Sequence, residues 1–262
     1  MLDIWRETVP VRYGSVDRSD RLTLNSVFSF FQEAAISHAA ELGVGRDAMA
    51  KSGQGWILSR LSLFVERRPA YREVIQVSTW PRRWEKLFAL RDYEIRDAEN
   101  NAVIRGRAGW LVLDIEKRRP LRAQAVMEHL PPNDGIDAFP AGPAGLDARE
   151  NLVKKMERAA LYSDIDYYGH ANNARYIQWI QDVTDMDVLT SAARFRLDIN
   201  YLSEVLPGET VELWTAPIAN AAIPAGANAA DYPRSNGSAF AYEGRRPGSD
   251  QAVFRAELRT GA

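Results

Sequence analysis

Three observations predict an α+β fold of two tandem units, each a long helix wrapped by an antiparallel sheet, joined within one chain as a pseudo-dimer. The first is an internal repeat: residues 12–34 lie on 161–183 without gaps at an offset of 149, pairing Tyr13 with Tyr162, Asp17 with Asp166 and Gln32 with Gln181. Such self-similarity marks a duplicated structural unit. The second is that each half sets one helix-period stretch ahead of several strand-like runs. The third is size, since 262 residues can bury a large core and suit two domains of ordinary length.

The chain opens on an extended stretch over residues 5–13. Residues 23–42 then carry Val27, Phe28, Phe31, Ala34, Ala35 and Leu42 at helical spacing, without Pro or Gly, which predicts a long and largely buried helix. Strands are predicted at 55–66, 73–82, 87–97 and 102–114, with Asn100-Asn101 turning the last hairpin and Pro69 and Pro81 punctuating the others. From 122 to 155 the periodicity fades, and Pro131-Pro132-Asn133-Asp134-Gly135 and Pro140-Ala141-Gly142-Pro143 read as an interdomain linker. The second half restarts with a strand at 155–162, a helix at 172–186 and strands at 193–202, 209–215, 238–243 and 251–259. Its Ala-, Asn- and Gly-rich stretch at 218–237 reads as a flexible loop. The expected units are 1–122 and 153–262, separated by a linker at 123–152, with their sheets edge to edge and both helices on one face.

Composition narrows what such a chain does. Hydrophobic residues at 46% and charged residues at 26% are those of an ordinary globular protein, and a net charge of −2 creates no field that draws nucleic acid. Arginine pairs at 67–68, 82–83, 118–119 and 245–246 read singly as solvated strand ends, leaning only weakly toward an anionic partner. With no cysteine, disulfides, thiolate nucleophiles and cysteine-ligated metals are excluded, and neither metal nor cofactor is expected. The sequence has no leader pattern and no apolar run near the roughly 18 residues of a membrane span, so the cytoplasm is the expected location.

The densest chemistry lies at Asp164-Ile165-Asp166-Tyr167-Tyr168-Gly169-His170-Ala171-Asn172-Asn173, just ahead of the second helix. In the repeat His170 faces Arg21, so one half alone carries the imidazole. His38 falls on the first helix and His129 in the linker, and both read as structural. An imidazole, with a reference pKa of about 6.5, is the natural base for water at neutral pH. A carboxylate such as Asp166 or Glu204 can orient it, and amides at the helix start around Asn172 and Asn173 can polarise a carbonyl. Asp164 reads as a cap, while Asn172 and Asn173 read equally as caps or catalytic groups.

Together with Phe31-Gln32-Glu33-Ala34-Ala35, Asn200-Tyr201-Leu202-Ser203-Glu204-Val205 and Gly208-Glu209-Thr210-Val211, this cluster resembles the acyl-carrier-protein (acyl-ACP) thioesterases of fatty-acid synthesis, built as two hotdog domains in one chain. The resemblance implies hydrolysis of a fatty-acyl thioester to free fatty acid, ending chain elongation, with acyl carrier protein and its phosphopantetheine-linked acyl chain as the partner. The family motif Asp-x-Asn-x-His maps onto Asp166, Tyr168 and His170, and a glutamate on a following strand maps onto Glu204. Tyr168 departs from the motif, replacing a carboxamide that both donates and accepts with one rotating hydroxyl. Val205 stands where plant relatives carry cysteine. Trp56, Leu58 and Trp110 in the first unit are then the implied acyl-chain pocket. The alternatives are an acyl-coenzyme A thioesterase, or a weakly active or non-catalytic acyl-thioester binding protein, which Tyr168 keeps open. A homodimer also stays open.

Overall fold

The computed structural model describes residues 3–121, 126, 130, 131, 133, 135–139, 142–218, 232 and 237–261. In the first half, β1 (Trp5–Pro10) leads to helix α1 (Leu24–Glu41), a short helix α2 (Arg46–Lys51), and strands β2 (Gln54–Val65), β3 (Val74–Glu85), β4 (Phe88–Arg96), β5 (Ala102–Asp114) and β6 (Arg119–Leu121). The second half repeats the series as β7 (Val153–Ala159), α3 (Asn173–Val183), α4 (Met186–Ser191), β8 (Arg194–Tyr201), β9 (Thr210–Pro217), β10 (Ala239–Arg245) and β11 (Ala252–Gly261). The expected α+β class and the order of long helix and strands hold. The short helices α2 and α4, too brief to show a period, were not legible in the sequence.

The strands form one sheet in the order β1-β3-β4-β5-β2-β8-β11-β10-β9-β7, with β6 added to β5. The order mirrors itself about the β2–β8 seam, the double-hotdog arrangement that the resemblance implies. At the seam, antiparallel pairing sets Leu61 opposite Ile199, Leu63 opposite Leu197 and Val65 opposite Phe195. All six are buried in one core that also holds Val27 and Phe31 of α1 and Ile177 and Ile180 of α3, so both helices share one face of the sheet. Each such side chain contributes about 1.5–3 kcal/mol on leaving water. Helix α1 lies close enough that Phe31 stacks on Tyr93, with ring centroids 4.6 Å apart. This approach needs Gly106, where a Cβ would stand 2.9 Å from the Phe31 ring.

The second helix ends earlier than the expected 172–186. Thr184 turns its hydroxyl back onto the Ile180 carbonyl at 2.6 Å and also meets the Tyr242 hydroxyl, and the chain leaves the helix there. The described part of 123–152 does more than connect. Ala138 N–H donates to the buried Asp92 carboxylate at 2.9 Å, Trp80 Nε1 donates to the Ile136 carbonyl, and Asn200 holds both Ala144 O and Leu146 N–H. The segment is a strap tied across the sheet by side-chain amides and carboxylates. The loop expected at 218–237 lies outside the described residues except for 218, 232 and 237, and His129 also lies outside them.

The fold keeps Arg83, Arg118 and Arg119 exposed, as expected, but corrects one member each of two other pairs. Arg68 and Arg82 are buried rather than solvated. Arg68 pairs with Asp17 and Arg82 with Asp137, while Arg245 and Arg246 pair with Glu243 and Glu209.

Candidate active site

The two helix N-termini are built by the same turn. In the second half, Asp166 N–H donates to the His170 carbonyl at 3.0 Å, and Asp166 Oδ1 accepts Tyr168 N–H at 2.9 Å. Gly169 closes this turn at φ +89°, a conformation that L side chains rarely adopt. In the first half, Asp17 N–H donates to the Arg21 carbonyl at 2.9 Å and Asp17 Oδ1 accepts Ser19 N–H at 2.8 Å. The backbone bonds of the turn therefore repeat, while the side chains around it, Arg68 on Asp17 in the first half among them, differ.

His170 stands between two carboxylates. Its Nδ1 lies 3.9 Å from Asp166 Oδ1 and its Nε2 lies 3.9 Å from Glu204 Oε2. Both separations exceed hydrogen-bond range. Glu204 belongs to the loop just past β8 rather than to the strand, because the ladder ends at Tyr201. Its other oxygen, Oε1, is ion-paired with Arg118 from the β5–β6 turn of the first half, and Arg246 donates to its backbone carbonyl at 3.0 Å.

The Tyr168 ring lies nearly parallel to His170, at 8° and 6.1 Å, and packs on Tyr167. The Arg46 guanidinium covers both tyrosine rings. Burial first, and then the hydrogen bond with Tyr167, hold the Tyr168 phenol well above the ordinary tyrosine range, so it stays a neutral hydroxyl.

Of the two asparagines, Asn172 is the N-cap of α3, its Oδ1 accepting Ala174 N–H at 2.9 Å. Asn173 instead lines the cavity. Asp164 is buried and accepts Leu161 N–H at 3.0 Å, the capping role expected of it. Among the described residues no group of three His, Cys, Asp or Glu side chains is arranged to hold a metal ion.

His170, Asp166, Tyr168 and Glu204 border one cavity of about 810 Å³ that runs into the first half. Trp56, Leu58 and Trp110 line it, along with Leu90 and Ile36. Four polar lining residues were not foreseen: Gln32, Arg46, Arg91 and Arg118. Burial presses the Arg91 guanidinium below its ordinary pKa, and its Nη1 meets His38 Nδ1 at 3.1 Å. Arg118 had a visible signal in the Arg118-Arg119 pair, whereas Arg46 and Arg91 had none. Gln32 stood in the repeat as the counterpart of Gln181, and its place in the cavity follows only from the packing of α1.

The mirrored sheet, the two buried helices and the histidine–carboxylate cluster at the start of the second long helix define a tandem hotdog protein with an asymmetric candidate site. Residues 3–129 match the family model of the acyl-ACP thioesterase N-terminal domain, and residues 149–243 match that of the C-terminal domain. The chain belongs to the acyl-ACP thioesterase family.

Among curated relatives, an acyl-[acyl-carrier-protein] hydrolase of Cuphea viscosissima is 23% identical over 230 residues, covering 81% of this chain and 55% of that protein. Oleoyl-acyl carrier protein thioesterase 2 of Arabidopsis thaliana is 23% identical over 232 residues, covering 80% and 62%. The chain thus spans little more than half the length of the curated relatives it matches. A crystal structure of an acyl-ACP thioesterase from Bacteroides thetaiotaomicron superposes with TM-score 0.79 at 22% identity, covering 98% of each chain. The 12:0-ACP thioesterase from Umbellularia californica superposes with TM-score 0.75 at 18% identity, covering 100% of this chain and 97% of that one.

Proposed function

We propose that this chain hydrolyses fatty-acyl thioesters carried on acyl carrier protein, releasing free fatty acid. The observation that carries the reading is His170 flanked at 3.9 Å on each ring nitrogen by a carboxylate, at the border of a cavity of about 810 Å³ walled by Trp56, Leu58 and Trp110. The family and the printed names of its relatives, acyl-ACP hydrolases and thioesterases, support the substrate class.

The 3.9 Å between His170 Nε2 and Glu204 Oε2 suits one water hydrogen-bonded to both, at about 2.8 Å from each. His170 takes a proton from that water as its oxygen adds to the thioester carbonyl carbon. It returns the proton to sulfur as the carbon–sulfur bond breaks, so the products are the free acid and the carrier thiol. Asp166 faces Nδ1 and stabilises the imidazolium formed in between. The first half accepts the acyl chain and the second supplies the base.

The cytoplasm is the proposed place of action. No described helix is long and apolar enough to cross a membrane, and the curated plant relatives are chloroplastic. The test of the function is release of thiol and free acid from acyl carrier proteins loaded with chains of defined length. Hydrolysis at rates well above buffer supports the reading, and acyl binding without turnover overturns it.

A further inference from the structure

Gln32 is a cavity residue whose side-chain oxygen the packing leaves without a partner. It lines the cavity on a face of α1 shared with Ala35, Ile36 and Ala39, and its Oε1 is enclosed without a hydrogen-bond partner. An enclosed acceptor with no donor destabilises a fold, so packing alone gives no reason for a carboxamide here.

The repeat indicates where this side chain is aimed. Its counterpart Gln181 on α3 accepts the N–H of Asn25, the second residue of α1, at 2.9 Å. The mirrored architecture sets Gln32 correspondingly against the start of α3, where Ala174 is the counterpart of Asn25. There the Ala174 N–H is already taken by the cap Asn172 at 2.9 Å. The matching cap in the first half, Thr23, reaches Ser26 N–H instead and leaves Asn25 to Gln181. Asparagine in place of threonine at this cap therefore strips the glutamine of its partner only in the half that carries His170. The freed carboxamide borders the same cavity as His170, Tyr168 and Asn173.

We infer that Gln32 is a catalytic residue of the hydrolysis proposed above, an inference that rests on that reading. Its carboxamide N–H donates to the thioester carbonyl oxygen as negative charge collects there during attack by water. Position 168 lacks the motif's amide, and Gln32 supplies one from the other half. A donor already standing beside the developing charge stabilises it with less reorganisation than bulk water needs.

The test compares Gln32→Met with Gln181→Met in the whole chain, using acyl-ACP hydrolysis and thermal melting. Gln32→Met is expected to lower kcat by about 10²–10³-fold, the range for loss of one oxyanion donor, with KM little changed. Its melting temperature is expected to stay level or rise, because an unpaired acceptor is removed. Gln181→Met is expected to do the reverse, melting earlier while keeping its kcat. Gln32→Glu keeps the side-chain shape and is expected to show the same loss of kcat, which preserves the test should Gln32→Met fold poorly. Wild-type turnover by folded Gln32→Met overturns the inference, as does a loss of turnover shared equally by Gln181→Met, which would mark a packing role. Failure of the unsubstituted protein to release thiol would overturn the hydrolase reading itself.

Discussion

Arg68 in the first half stands where Glu204 stands in the second. Each precedes a residue, Pro69 or Val205, whose carbonyl accepts the N–H of Leu22 or Ala171, at 2.8 Å in both halves. The charge reversal decides what each helix start becomes. Arg68 lies 2.5 Å from Asp17 and closes the first turn as an ion pair, whereas Glu204 joins Asp166 around His170.

His170→Ala is expected to lower thioester turnover by about 10²-fold or more, the range for loss of a general base. The imidazole is partly exposed and lies outside the buried core, so circular dichroism and melting should match the unsubstituted protein. Thiol release by the folded variant at near-normal rate would remove His170 from the mechanism.

For Glu204→Ala the expected result is a fall in kcat of about tenfold or more, with stability within about 0.5 kcal/mol of the parent. Arg118, which loses its partner, has a side chain 72% exposed and is rehydrated at little cost. Parallel measurement of kcat and urea midpoint separates the two effects.

Asp17→Ala should be a stability variant. It leaves the Arg68 guanidinium, 5% exposed, without its carboxylate, a loss of about 3 kcal/mol. Burial pushes the Asp17 carboxyl up, but hydrogen bonds from Ser19 and Arg68 together hold it below the usual carboxylate range. A depressed acid stabilises the fold above its ordinary pKa, and that contribution is lost as pH falls through the depressed value. The gap in urea stability between the parent and Asp17→Asn should therefore be full at neutral pH and shrink on acidification. A gap that does not vary with pH would show that the pair contributes nothing electrostatic.

Tyr168→Phe is expected to keep turnover close to that of the parent, because the ring, parallel to His170 and covered by Arg46, positions the imidazole by its face. Tyr168→Ala, which removes the face, should lower kcat. A large loss in Tyr168→Phe would assign the work to the hydroxyl.

Asn200→Ala cuts both amide ties that hold Ala144 and Leu146 to the sheet. Faster hydrogen exchange at the Leu146 amide and faster proteolysis within residues 142–152 are expected, with turnover preserved. Unchanged exchange would mean that Arg149 and Glu257 suffice to hold the strap.

Much of the fold was legible because its signals are local or repeated. The period of α1 comes from Val27, Phe28, Phe31, Ala34 and Ala35, all buried, and the turn at Asp17 predicts the turn at Asp166. His170 and Asp166 were legible as neighbours in sequence. The roles of Arg118, Arg46 and Gln32 depend on which half faces which, a relation between residues far apart in the chain that no local pattern carries. The ties of the strap escape the sequence for a related reason. Proline and glycine mark a segment without helix or ladder, but they say nothing of the side-chain amides and carboxylates elsewhere that hold it.

The mirrored sheet has a consequence for how such a protein can evolve. In a symmetric dimer of identical subunits, every mutation strikes both copies, so a residue that serves one helix start is imposed on the other. Fusing the copies across the β2–β8 seam releases that constraint. One half can then accumulate changes that would be lethal to catalysis, such as arginine at positions 21 and 68, while the other stays under selection for the reaction. With Arg21 standing where the second half has His170, the first half of such a hydrolase is free, under the function proposed above, to reshape much of its cavity wall for new acyl chains while the base stays in place.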